Sequence, residues 1–202
     1  MDLIIDTVKK LESMMNNSGC EDSGVVLDVN ADTIICQFER GACMTASFGG
    51  RSADFITYDP IRAKTKISFM FGTPLDTPPV RGAAVAIVNV ATGFFCLSRI
   101  LHSCPESSHT ECRRQLAQEL GGKRIFLLSS MPAIDTAFRS TIVKTPHDAD
   151  VILINGEGII EKGTGDIIRN NKETKRILCL GPSTAGIARL NQLELWCPFG
   201  TC

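Results

Sequence analysis

The sequence predicts an α/β protein in two parts: an N-terminal α+β meander-and-helix domain, then a small Rossmann-like parallel-sheet domain. Three observations carry this. In the second half, short and nearly all-apolar runs (124–129, 141–144, 150–155, 176–180 and 193–197) alternate with helical segments near 132–139, 163–171 and 183–190. Strands buried on both faces read as such runs, and helices between them imply a parallel sheet. In the first half, β-rich runs are joined by short turns, as in a meander. Between the halves, Gly121-Gly122 closes a helix, which sets the domains at 1–121 and 122–202.

Taken in order, Leu3, Ile4, Val8, Leu11 and Met15 form a helical stripe over 2–17, ended by Asn16-Asn17-Ser18-Gly19. Runs 24–29 and 33–38, joined by Asn30-Ala31-Asp32, read as a hairpin. Arg40-Gly41 turns the chain into a strand over 42–48, and 65–71 alternates as a fourth extended stretch. The proline-rich 73–79 is a loop, because proline lacks the backbone donor. The alanine-rich apolar stretch between Arg81 and Arg99 predicts a buried helix over 81–100. A membrane span needs about 20 consecutive apolar residues, and this stretch falls short.

With 44% hydrophobic and 21% charged residues, the chain can bury a core, which excludes disorder. Lys and Arg total 21 against 22 Asp and Glu, so nothing draws it to nucleic acid or an anionic membrane. The start of the chain lacks a basic region and a long apolar region, so a cytoplasmic location with reduced thiols is expected. Nine cysteines stand out. An odd number cannot pair completely, and Cys36, Cys96 and Cys179, set in apolar runs, read as small core residues.

Three constellations can carry chemistry. Residues 102–112 hold His102, Cys104, His109 and Cys112, and Ser108 with Glu111 fits a capping box. A helix start there lowers a thiol pKa, and thiolate with imidazole suits a soft or borderline metal ion. The competing reading is a loop with incidental Cys and His, since no C-x-x-C pair is present. Next, Gly181-Pro182-Ser183-Thr184 follows a strand and opens a helix, at the sheet edge where α/β proteins bind ligands. Finally, a buried strand delivers Asn155, Gly156 and Glu157 to the same edge; Glu157 reads either as an acid–base group or as a solvated turn carboxylate. Neither G-x-G-x-x-G nor G-x-x-x-x-G-K-[ST] occurs, so no nicotinamide or P-loop nucleotide signature is present. With no G-x-S-x-G elbow, a Ser-His-Asp hydrolase finds little support.

The pairing of residues 149–156 with 180–184 resembles the heavy-metal chelation domain family, in which an enolase-N-terminal-like domain precedes a Rossmann-like one. The stretch 78–89 is similar to the helix before the second domain there, and the resemblance spans roughly 75–201. It implies a site in an interdomain cleft, with Asn155-Gly156 and Gly181-Pro182-Ser183-Thr184 on the rim; the 102–112 cluster lies outside its motif. The expectation is small-ligand binding in that cleft, with a heavy or transition metal ion as one candidate. The alternatives are an enzyme acting on a small anionic metabolite at the Gly181–Thr184 helix start, and a redox-responsive protein using Cys197 and Cys202. Whether a reaction is catalysed, and the oligomeric state, stay open.

Overall fold

The computed structural model of the chain describes residues 2–202. Helix α1 (Leu3–Met15) is capped by Asp2, whose carboxylate accepts from the Ile4 and Ile5 N–H groups, and it buries Ile4, Val8, Leu11 and Met15. An antiparallel sheet follows, built from β1 (Gly24–Asn30), β2 (Ala42–Phe48), β3 (Arg51–Thr57) and β4 (Ala63–Lys66) in the order β3-β2-β1-β4.

Several elements differ from expectation. Residues 33–38 form no strand; Cys36 and Phe38 instead leave the sheet and bury their side chains among Leu116, Ile125, Leu153 and Leu178 of the second half. Their apolar pattern marks a docking loop, which hydrophobicity alone does not separate from a strand. Conversely, β3 is an additional strand. Gly49 and Gly50, both at positive φ, make the two-residue turn that pairs Phe48 with Arg51, as expected for a primed hairpin turn. The extended stretch over 65–71 is split between β4 and a 3₁₀ turn, Ile67–Met70.

Helix α2 (Pro78–Phe94) lies at the centre of the molecule, buried on all sides from Arg81 to Gly93. It packs on β2 and β3, on α1, and on α7 (Ala185–Asn191) of the second half. Small residues permit this closeness: a Cβ on Gly82 would lie 3.2 Å from Phe55, and one on Gly186 would lie 2.7 Å from Asn89 Oδ1. The helix ends at Phe94, earlier than expected, in a Schellman arrangement. The Cys96 N–H donates to Gly93 O and the Leu97 N–H to Thr92 O, with Cys96 in the left-handed region. Cys96 is therefore exposed at a helix end, while Cys36 and Cys179 are buried as expected.

After α3 (His109–Glu119), the second sheet comprises β5 (Ile125–Leu127), β6 (Val151–Ile154), β7 (Arg176–Leu180) and β8 (Glu194–Trp196), all parallel and in sequential order. Helices α4 (Pro132–Ala137), α5 (Gly156–Ile160), α6 (Thr164–Asn171) and α7 make the connections. Residues 141–144 contribute only a bridge, Ile142 to Ile125. One apolar cluster holds Ile4, Phe55, Val85, Ile152 and Ile187, so the halves share a core. Arg81 clamps them together. Its buried guanidinium pairs with Asp2 at 2.7 Å and donates to Ile160 O and Leu75 O. Among the described residues, no helix is long and apolar enough to cross a membrane.

Candidate functional site

Because the parallel strands run in sequential order, strand order never reverses, and a reversal is what opens a ligand crevice in doubly wound sheets. The carboxyl edge of β6 and β7 is covered instead by the chain's own residues 36–39. Asn155 caps α5 through Oδ1, accepting from Gly158 N at 3.0 Å and from the Ser129 hydroxyl; its amide donates to Phe38 O at 3.0 Å. Gly156 N donates to Glu39 Oε1 at 3.3 Å, and Ile56 N donates to Ser183 Oγ at 3.0 Å. Thr184 donates to Gly181 O at 2.9 Å, while Asn89 donates to Ser183 O and accepts from Gly186 N. Both glycines leave room for this docking. A Cβ on Gly156 would stand 2.9 Å from Glu39 Oε1, and one on Gly181, at φ +78°, 3.1 Å from Cys36 Sγ.

Asn155, Gly156, Pro182, Ser183 and Thr184 are thus buried in the seam between the halves. Glu157 alone of this group reaches an open hollow. It accepts from Tyr58 N at 3.0 Å and borders about 260 Å³ beside Asp76, Arg81 and Lys162.

At the seam's centre is Glu39, 6% exposed. Burial raises its carboxyl pKa to about 8 against the pull of hydrogen bonds from Ser183 and Gly156 N–H, so it is largely protonated at neutral pH. Its Oε2 has no partner. Cys36 and Cys197 lie near enough to sense Glu39 electrostatically, and Cys104 and Cys112 near enough to sense Cys197.

These thiols do not make the metal set that 102–112 suggested. The capping box does not form: Ser108 has helical backbone angles and makes no capping bond, and Glu111 turns to Arg114 and Gln115. Cys112 packs beside Leu116 and Trp196, so burial raises its pKa where the helix start was expected to lower it. Burial likewise raises Cys104, and holds Cys197 at about 12. A metal ligand must be the thiolate, and burial disfavours that form at Cys104, Cys112 and Cys197. His102 is engaged elsewhere, and His109 Nε2 is buried without a partner. Among the described residues, no group of three or more His, Cys, Asp or Glu is placed to hold a metal ion. The donors present do not fit such an ion.

The second concentration of polar groups lies on the outer face of the antiparallel sheet. Strand alternation puts Ser52 and Asp54 of β3 on one face, and register sets Thr45 of β2 opposite Asp54. Asp54 N donates to Leu101 O, which brings His102 over that face; Thr201 holds the His102 backbone by a two-way bridge. His102 Nδ1 sits 2.9 Å from Asp54 Oδ2, and its Nε2 sits 3.3 Å from Ser52 Oγ. The Thr45 hydroxyl donates to the other Asp54 oxygen at 2.9 Å. Asp54 is 3% exposed, whereas the His102 ring is 29% exposed, so the carboxylate stands behind a ring that faces outward. The hydrogen bond with Asp54 raises the His102 pKa, opposed by partial burial.

In front of the ring is an open hollow of about 430 Å³, bordered also by Asn30, Asp32, Thr33 and Ser103. The Ser103 hydroxyl is buried and has no partner. Of the residues expected to act, His102 alone stands here. Asp54, Ser52 and Thr45 were missed. The Gly-Gly turn and the Ser-x-Asp alternation after it were signals for the strand; no local pattern ties that strand to a histidine 48 residues on.

These features define a two-part α/β protein with a closed sheet edge and an acid–imidazole pair over an open hollow. No protein-family model matches the chain, and no curated protein does. Among solved structures it is similar to a DUF364-family protein of unknown function from Desulfitobacterium hafniense, at TM-score 0.52 and 13% identity, covering 93% of this chain and 83% of that one. A DUF364-family protein of unknown function from Pyrococcus horikoshii aligns over 90% and 79% at 14% identity and TM-score 0.47. The former likeness shows the fold, an α/β arrangement of meander and parallel sheet.

Proposed function

We propose that the chain binds a small polar ligand in the hollow before His102, and that the Asp54–His102 pair supplies acid–base chemistry to it. One observation carries this: a buried carboxylate fixes a half-buried imidazole at the wall of a 430 Å³ void. Fixing an imidazole through Nδ1 leaves Nε2 to exchange a proton with whatever occupies the void. The sequence suggests a ligand in a cleft rimmed by Asn155–Glu157 and Gly181–Thr184, or at the Gly181–Thr184 helix start alone; both readings have less support, because Asn155, Gly156 and Ser183 are engaged across the seam and Thr184 within its own turn. A heavy-metal ligand, the finer reading of the family resemblance, has less still, because the buried thiols favour protonation.

The test is a library of polar metabolites screened by NMR on the ¹³C-histidine-labelled protein. Binding compounds should shift the His102 ring resonances and leave those of exposed His147 in place. A library whose binders all leave His102 unmoved would sink the reading.

A further inference from the structure

Ser52, His102 and Asp54 have the connectivity of a nucleophilic relay: hydroxyl to Nε2, Nδ1 to a buried carboxylate, and that carboxylate anchored by Thr45. We infer that this relay attacks acyl compounds, with Ser52 Oγ as nucleophile, His102 as general base and Asp54 as the group that fixes the imidazole. The inference rests on the reading of the hollow given above. An ordinary polar contact on a sheet face would need only the Ser52–His102 approach. What sets this one apart is the carboxylate behind the ring, 3% exposed, with one oxygen bonded to His102 and the other to Thr45.

Each group has a stated role. Asp54 holds the imidazole through Nδ1, which turns Nε2 toward Ser52. The Ser52 contact, 3.3 Å, is in the looser range usual before substrate arrives. In chain order the groups run Ser, Asp, His, with the first two sharing one strand. The G-x-S-x-G elbow belongs to a different fold, so its absence from the sequence carries no weight against this geometry.

The reaction closes without a cofactor. Ser52 Oγ bonds to the acyl carbon as its proton passes to His102 Nε2. The bond from that carbon to the leaving oxygen or nitrogen then breaks, and the leaving group takes the proton from His102. Water, deprotonated by the same nitrogen, attacks the acyl-serine, releasing the carboxylic acid and restoring Ser52.

The experiment uses a fluorophosphonate, in which Ser52 Oγ would displace fluoride from phosphorus and His102 would take the hydroxyl proton. Intact-mass and peptide analysis of the full chain should show a single adduct, on Ser52. Labelling should fall about 100-fold or more in His102→Ala and in the isosteric Asp54→Asn, with far-ultraviolet circular dichroism unchanged. It should also fall with acid, following one ionisation, since the base must be neutral imidazole. An adduct on another residue, or labelling no faster than on the urea-unfolded chain, overturns the relay. If metabolites shift His102 by NMR while Ser52 stays unlabelled, the hollow stands and the relay alone fails. If neither occurs, both fall.

Discussion

The seam and the hollow hold similar residue types and use them oppositely. At the seam, Asn155, Ser183, Thr184 and Asn89 are buried, and nearly every polar atom meets another from the same chain. In the hollow, Ser52, Asp54 and His102 are joined to one another, but the ring and hydroxyl still face a void. A polar residue at a strand end is therefore not evidence of a ligand by itself. What matters is whether its hydrogen bonds are already taken by the fold, because a satisfied group has nothing left to offer a ligand without leaving a buried partner unpaired. The contrast predicts that seam substitutions cost stability, whereas hollow substitutions cost chemistry.

The largest effect should come from Glu39, through pH. Its folded pKa, about 8, lies above that of an ordinary carboxyl, so the folded state holds a proton that the unfolded chain releases. Stability is then full below about pH 4.5 and is lost as pH rises toward 8, by on the order of 3 to 4 kcal/mol between pH 5 and pH 8. Glu39→Gln, which imitates the protonated acid, should flatten that dependence. Guanidinium unfolding of both proteins at the two pH values measures it; equal slopes would mean that the carboxyl is solvated and the seam open.

Next is Asn89→Ala. It removes the donor to Ser183 O and the acceptor for Gly186 N, leaving two buried backbone groups unpaired. The expected loss is about 3 kcal/mol, read from the guanidinium midpoint. Gly156→Ala should follow at about 2 kcal/mol, because its methyl meets Glu39, the Ser183 Cβ and Ile56 O with little room to shift. A loss below about 0.5 kcal/mol in Gly156→Ala would show that residues 36–39 are not docked on the sheet edge, and one in Asn89→Ala that α2 is not tied to the Ser183 turn.

Much of this fold is legible in the sequence because local physics decides it. The Asp2-capped stripe of α1, the all-apolar β6 and β7, and the alanine-rich α2 each present a pattern that one structure satisfies. Residues 33–38 fail the same logic: their apolar side chains are buried by the other half of the molecule, and no periodicity reports that. The sequence suggests the strand ends at Asn155 and Gly181 as ligand positions, and in the fold they meet residues 36–39 of the same chain. Their purpose was not readable, since a glycine that admits a phosphate and one that admits Glu39 from the same chain look alike in one dimension. Of the site, His102 was visible but grouped with its sequence neighbours Cys104 and Cys112, whereas its partners lie on β3.

The smallest expected stability effect separates the regions most sharply. For His102 the folded pKa is raised by Asp54, so the pair's contribution is full below the ordinary histidine pKa and disappears as pH rises through the folded one. His102→Gln should therefore be destabilised relative to the parent at pH 5.5, by less than about 1 kcal/mol because the ring is partly exposed, and equal to it at pH 9. Ser52→Ala should change stability by less than about 0.5 kcal/mol at either pH, since it breaks one long, half-buried hydrogen bond. Thermal unfolding of the three proteins at both pH values gives the comparison. A His102→Gln loss of several kcal/mol that persists at pH 9 would make the Asp54–His102 pair a structural strut like Arg81–Asp2, and the distinction between seam and hollow would collapse. A loss confined to low pH leaves the imidazole as a group the fold positions without depending on it, which is what an acid–base residue requires.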